Sequence, residues 1–321
     1  MHITTRAAKR GTFALVVIGL AAGVVQHLPE PADVAVAPTV HRDPGSWTMP
    51  LDGYVQPGSD KDSYAFSLVV QPCLRTIGID SAPPWATAAG LDALSDERDT
   101  PAGGNTAPAL AWSRPLDAES ARTRGYHGAS TAGADADGIR TWGEDPARNA
   151  AFADAPQREV DRCFQQAYRT LGTADPDGAV QSASIVAKRL TYLATMAARE
   201  DPAVVTAAGR WRTCMAPADV IDLPQAPSDM PSQSIQMDHG TNISSTPVQD
   251  AEVAIAQRDV ACQETSGYRD ALYDAAWDRL LHVTASDSTE LRRTRPDQRD
   301  VDRRLDTTIR RLAPAAPADA G

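Results

Sequence analysis

The residues of this chain best suited to chemistry are few and scattered. Four cysteines, Cys73, Cys163, Cys214 and Cys262, supply every thiol. No two are close in sequence and no histidine stands at ligand spacing from them, which disfavours a metal site. A catalytic thiolate needs a cation or a helix N-terminus beside it, whereas all four fall within or toward the ends of expected helices. Bridging is the remaining chemistry, and four cysteines permit three fully bridged connectivities. The expected one joins neighbours in sequence, Cys73 with Cys163 and Cys214 with Cys262, giving two stapled helical halves. A bridge between Cys163 and Cys214 would break that picture.

The other candidates are polar and aromatic. Asp238-His239-Gly240-Thr241-Asn242, set among serines, holds parts of a hydrolase site, because an aspartate can orient an imidazole that activates a hydroxyl. Adjacent Asp and His side chains rarely face one another, however, and the segment reads as a solvated loop. Tyr126 and His127, and Trp211 flanked by Arg210 and Arg212, are the candidates for ligand contact, since rings and guanidinium groups suit sugars and anionic polymers. Packing competes with that role, because Trp211 already lies on an apolar stripe. Asp259 is either an acidic partner for His127 or His239, or a structural group that caps a helix or pairs with an arginine of its neighbour. No phosphate loop, Gly-x-Ser-x-Gly elbow or His-Glu-x-x-His is present, and no cofactor is expected.

The elements that must position these residues read as helices. Asp201 and Thr246 are good N-caps, and Pro202 and Pro247 take the first helical position, where the missing N–H costs nothing. Val204, Ala208, Trp211 and Met215 form one apolar stripe beside Cys214; Val248, Ala251, Ile255 and Cys262 form another. That second helix is expected to bend at Ser266-Gly267 and continue through Leu272, Ala276, Leu280 and Val283. Residues 156–171 are the clearest helix, closed by Gly172. Residues 182–198, with Val186, Leu190, Leu193 and Ala197 in register, form a hairpin with the helix that starts at Pro202. Residues 63–77 are helical up to Gly78, with Pro72 breaking or kinking them before Cys73.

Between these, residues 80–150 read as loops and short helices. One of those, 116–124, ends at Gly125 and leaves Tyr126 and His127 exposed. Residues 224–245 read as a long loop. Val301, Leu305, Thr308 or Ile309, and Leu312 mark a last amphipathic helix, either docked on the rest, the favoured reading, or free to bind a partner. Nothing alternates like a set of strands. The fold class is therefore mainly α: a disulfide-stapled helical domain with long irregular loops over residues 61–285, then a charged amphipathic helix and frayed tail over 286–321.

The chain has 321 residues and a formal net charge of −11, which opposes a general nucleic-acid partner because phosphate neutralisation needs a basic face. Arg6, Lys9 and Arg10 precede an apolar run from Gly11 to Val25, the layout of an export signal. The run spans about 22 Å as a helix against about 30 Å of bilayer core, which favours a cleaved signal, while the lack of a clean cleavage site favours an anchor. Residues 1–28 are thus a signal peptide or an N-terminal membrane anchor, followed by a Pro/Ala-rich tether over 29–60. The location expected is extracytoplasmic, membrane-anchored or secreted.

Trp211, Cys214 and Met215 followed by Asp259 and Cys262 give this chain a Trp-x-x-Cys-Met and Asp-x-x-Cys pattern. In that pattern, together with Cys73, the Gly125-Tyr126-His127 step and Cys163, it resembles a group of exported actinobacterial proteins of unknown function. The likeness spans roughly residues 64–282 and departs at Ala216-Pro217-Ala218-Asp219, where such proteins usually carry a glycine. It implies export and a helical fold, and no chemistry. The function expected is a non-catalytic cell-envelope accessory or binding protein, facing a cell-wall polymer or a membrane-protein partner. The alternative is an exported hydrolase with a dispersed active site.

Overall fold

The computed structural model describes residues 33–98, 115–127, 136–241 and 247–317. The export segment, Thr246, Asn242 and most of the glycine-rich stretches expected as loops lie outside them. Thirteen α-helices occur among the described residues: α1 (Ser59–Thr76), α2 (Ala88–Arg98), α3 (Ala118–Arg124), α4 (Ala136–Glu144), α5 (Pro146–Asp154), α6 (Gln157–Leu171), α7 (Ala179–Ala198), α8 (Pro202–Met215), α9 (Gln233–His239), α10 (Asp250–Ser266), α11 (Tyr268–Leu280), α12 (Ala285–Leu291) and α13 (Gln298–Leu312). Two short strands, β1 (Asp33–Ala35) and β2 (His282–Thr284), pair antiparallel. The class is mainly α, stapled by two disulfides.

Local chemistry sets most boundaries. Asp201 accepts the N–H of Ala203 and Pro202 follows, so α8 starts as expected. Gly172, at φ 72°, closes α6 after Val160, Cys163, Ala167 and Leu171 have turned inward together. Gly267, at φ 70°, does more than bend its helix: it ends α10 and opens α11. Pro72 does not break α1, because Leu74 in the core and the Cys73 bridge hold the helix beyond it. The second cysteine helix begins at Asp250, with Pro247 and an exposed Val248 outside it.

Four expectations are corrected. Residues 33–60 are not a tether: Val34 pairs with Val283, the Val36 N–H donates to Leu281 at 2.8 Å, and Trp47, Met49 and Leu51 are buried in the largest core. The run is poor in helical periodicity because, up to the start of α1, it is a short strand, turns and one 3-10 turn laid against helices. The 224–245 loop contains α9. Helices α7 and α8 do not form a hairpin; both lean on α11. The inward face of α7 is Ala183, Ala187, Thr191, Ala194 and Ala198, while Leu193 is exposed. Small residues let α7 lie close to α11, with Val186 and Leu190 partly buried at the edge of that contact and Leu193 turned outward.

The helices sort into two packed groups. In one, α1 packs on α2, α6 and α13, and the Cys73–Cys163 bridge joins α1 to α6 at a Cα separation of 5.6 Å. In the other, α10 packs on α3, α8 and α11, and Cys214–Cys262 joins α8 to α10 at 5.6 Å. The last helix is docked, burying Val301, Leu305, Thr308 and Ile309 and leaving Leu312 exposed. Lys61 of α1, 3 % exposed, meets Asp92 of α2 at 2.6 Å and Asp302 and Asp306 of α13 at 2.8 and 3.0 Å. Burial works against its charge, but hydrogen bonds to Asp302, Asp92 and Asp306 outweigh it and hold the ammonium above its ordinary pKa.

Two outcomes follow for stability. Lys61→Met leaves three half-exposed aspartates facing one another and is expected to cost about 2–4 kcal/mol in denaturant unfolding, partly recovered at high salt. Replacing Cys214 and Cys262 together by serine is expected to cost about 2–5 kcal/mol, and non-reducing peptide mapping should join the four cysteines only as described.

Candidate functional site

The inward face of α10 is polar. Glu252, Ala256, Asp259, Gln263 and Ser266 are buried at alternating spacings of four and three, the pattern of a core stripe. The stripe through Val248, Ala251, Ile255 and Cys262 lies beside it; Ala251 is exposed and Ile255 half-buried. Buried carboxylates have to be met by donors, and neighbouring elements supply them.

Helix α3 delivers the first set. Asp117 accepts the Ser120 N–H at 2.8 Å to start it, and Gly125, at φ 60°, turns the chain at its end. A Cβ on Gly125 would lie 2.4 Å from Glu252 Oε1, so only glycine permits the approach. The Tyr126 N–H then donates to Glu252 Oε1 at 2.6 Å, and His127 Nδ1 lies 3.0 Å from the same oxygen. Tyr126 and His127 are therefore not an exposed pair; they fold back onto α10.

Asp259 receives the second set. Trp211 Nε1 of α8 donates to Oδ1 at 2.8 Å, Gln263 Nε2 to the same atom at 3.0 Å, and the Tyr126 hydroxyl to Oδ2 at 3.0 Å. The partners of Asp259 are thus an indole, an amide and a phenol, in place of the arginine or histidine expected. Burial raises the Asp259 carboxyl above its ordinary pKa, against the lowering effect of hydrogen bonds from Gln263, Trp211 and Tyr126. Burial, then the charges of Asp259 and Glu252, push the Tyr126 hydroxyl far up, so it remains a proton donor at any ordinary pH.

The remaining sequence candidates are placed apart from this centre or in support of it. Trp211 is fully buried, 0 % exposed. Arg210 donates from Nε and Nη2 to the Ser266 carbonyl at 3.1 and 2.6 Å, closing the C-terminal end of α10. Arg212 is exposed. His239 ends α9 with Nδ1 3.0 Å from Gln249 Oε1, and it engages neither Asp238 nor Asp259. Among the described residues no group of three His, Cys, Asp or Glu could hold a metal ion.

Glu252 and Gln263 were missed because polar residues are left out when an apolar stripe is drawn. The available signal was the Glu252, Asp259, Gln263 and Ser266 series at heptad-like spacing. A cleft of about 540 Å³ opens against this seam, lined by Tyr126, Asp259 and Gln263 with Tyr192, Arg199 and Tyr268. No protein family matches the chain, and neither a characterised protein nor a solved structure matches it.

Two measurements test the seam. Trp211→Phe removes one donor from a buried carboxylate and is expected to cost about 1.5–3 kcal/mol in equilibrium unfolding. Because the folded pKa of Asp259 lies above 3.8, its contribution to stability is full below that pH and declines as pH rises through the folded value. Asp259→Asn is therefore expected to lose less stability than the wild type between about pH 4 and pH 7.

Proposed function

We propose that the protein is a non-catalytic accessory or binding component of the cell envelope, which takes a wall polymer or a membrane-protein partner at the cleft beside Tyr126. The observation that carries this reading is how the reactive groups are spent. Asp259 accepts three hydrogen bonds, and His127, with Nδ1 on Glu252, is a buried side chain that does not line the cleft, its Nε2 unpartnered in the interior. A hydrolase with a dispersed site needs an imidazole or carboxylate with a free face toward its substrate. The cleft offers tyrosine rings and fixed amide and hydroxyl groups, which suit recognition better than bond cleavage.

The location is read as extracytoplasmic. Two intramolecular disulfides are consistent with an oxidising compartment, and the basic flank and apolar run of residues 6–25 carry the export reading. No helix among the described residues is long and apolar enough to cross a membrane. The resemblance to exported actinobacterial proteins supports the same assignment, and the charge of −11 opposes a nucleic-acid partner.

The decisive comparison is between binding and turnover. The full chain is expected to co-sediment with isolated envelope fractions while releasing no soluble fragments from them. Should His127→Ala and Asp259→Asn keep the wild-type circular dichroism and yet abolish a measured hydrolytic activity, the accessory reading is wrong and the hydrolase alternative takes its place.

A further inference from the structure

A cavity of about 230 Å³, sharing no residue with the Tyr126 cleft, is lined by α1 and α6 and by the short helices α4 and α5. Its volume sets the scale of what fits: a cavity of about 150 Å³ takes a benzene ring, so this one has room for such a body and a small polar head. The apolar wall is aromatic, with Phe66 edge-on to Phe164 at 5.2 Å and 4.6 Å from Tyr168 between ring centroids. Two opposite charges line the same space, and neither is paired. Arg148 lies over Trp142 at 4.4 Å and Phe152 at 5.3 Å and donates Nη1 to the Gly143 carbonyl at 3.2 Å, but no carboxylate among the described residues forms an ion pair with it. Its Nε is sealed in the interior, which leaves Nη2 for a ligand. Asp62, in the first turn of α1, meets no cation among the described residues; its Oδ1 is sealed likewise, which leaves Oδ2. Burial works against both charges, lowering the Arg148 pKa and raising that of Asp62, and is opposed only in part by the charge of Asp145 and a hydrogen bond from Thr173.

We propose that this cavity binds a small zwitterion with an apolar body, of the free amino-acid class, with its carboxylate on Arg148, its ammonium on Asp62 and its side chain against Phe66, Phe164 and Tyr168. The site is separate from the envelope-binding reading above and does not rest on it. Charge decides the class. A plain anion placed on Arg148 would leave Asp62 unmet and set a second carboxylate beside it, and a plain cation would do the same to Arg148. A neutral apolar molecule would shut both charges away from water with nothing to compensate them. A ligand bearing both signs removes both costs. Stacking over two rings fixes Arg148 where it lies, and it does not reach Asp62 to form a pair. Helices α4 and α5 cover the cavity without one fully buried side chain among their described residues, so Arg148 is carried on elements that a ligand would draw onto α1 and α6.

Isothermal titration of the full chain compares L-phenylalanine and L-leucine with two half-ligands: 3-phenylpropionate, which lacks the ammonium, and phenethylamine, which lacks the carboxylate. The amino acids are expected to bind, and each half-ligand to bind about 10–100-fold more weakly than L-phenylalanine, the effect of losing one hydrogen-bonded charge. Amide exchange over residues 136–154 should slow when L-phenylalanine is present. In variants whose circular dichroism matches the wild type, Arg148→Met should bring L-phenylalanine down to the affinity of phenethylamine, and Asp62→Asn down to that of 3-phenylpropionate. Ile221→Ser, at an exposed position, should change neither. A half-ligand that binds the wild-type chain as tightly as L-phenylalanine overturns the zwitterion, and that comparison needs no variant to fold. Saturable binding with protection only elsewhere in the chain overturns the site. Absence of binding by both amino acids at millimolar concentration overturns the proposal as a whole and leaves the envelope-binding reading untouched.

Discussion

A helix that turns two carboxylates into the interior can be kept only where donors meet them, and α10 is such a helix. An ionised carboxylate taken from water costs several kcal/mol unless charge or hydrogen bonds compensate it. Glu252 and Asp259 are seven residues apart, two turns along one face, so their needs are spatially separate. Tyr126 serves both, its backbone N–H going to Glu252 and its hydroxyl to Asp259. One residue thereby sets both the height and the rotation of the α3 exit against α10. Trp211 does the same for α8, and the Cys214–Cys262 bridge lies on that α8–α10 interface. Covalent and polar constraints coincide, and the space for the glycine at Gly125 follows from them.

The other group of helices obeys the same rule with the opposite charge. Lys61 is as deeply buried as the carboxylates of α10, and its three aspartates come from α2 and α13, elements far apart in sequence. Buried ion pairs of this kind add little net stability relative to apolar side chains, but they penalise every arrangement that leaves a charge unmet. Each group thus has one disulfide and one polar centre. Between the groups run the residues before α1. Trp47, Met49 and Leu51 pack with α7 and α11, Gly53 lies against Thr39 and Pro296, and β1 pairs with β2.

How much of this was legible depends on what kind of force fixes each part. The helices that bury an apolar stripe, such as α6 and α13, and the ends set by Gly172, Asp201 and Pro202 follow from local rules, and the cysteine pairing joins neighbours in sequence, as expected. Asp259 stood out by its position before Cys262, whereas its partners could not be named, because Tyr126 lies 133 residues away. Residues 33–60 were opaque for another reason. They are held by long-range contacts, with the isolated side chains Trp47, Met49 and Leu51 inserted into a core that helices build. A periodicity search finds nothing there. The rotation of α7 was hidden likewise, since choosing alanines over Leu193 for the interior is decided by how closely α11 approaches.

The same network that fixes the helices also fixes the character of the cleft. A wall built from flexible surface side chains would have to be ordered by each ligand, at a cost of about 0.5–1.5 kcal/mol for every rotamer-rich group immobilised. Here Asp259 is held by three donors, Gln263 by Asp259, and Tyr268 by a contact of its hydroxyl with Ser228 at 3.2 Å. These groups bear the ordering cost when the chain folds, because the buried carboxylate demands it. The cleft therefore offers preset walls and ring faces, with Asp259 oriented inward as support and the Tyr126 hydroxyl, kept protonated, committed to it. Such a wall meets a ligand without reorganising, because the hydrogen bonds that fix it are already made in the folded chain.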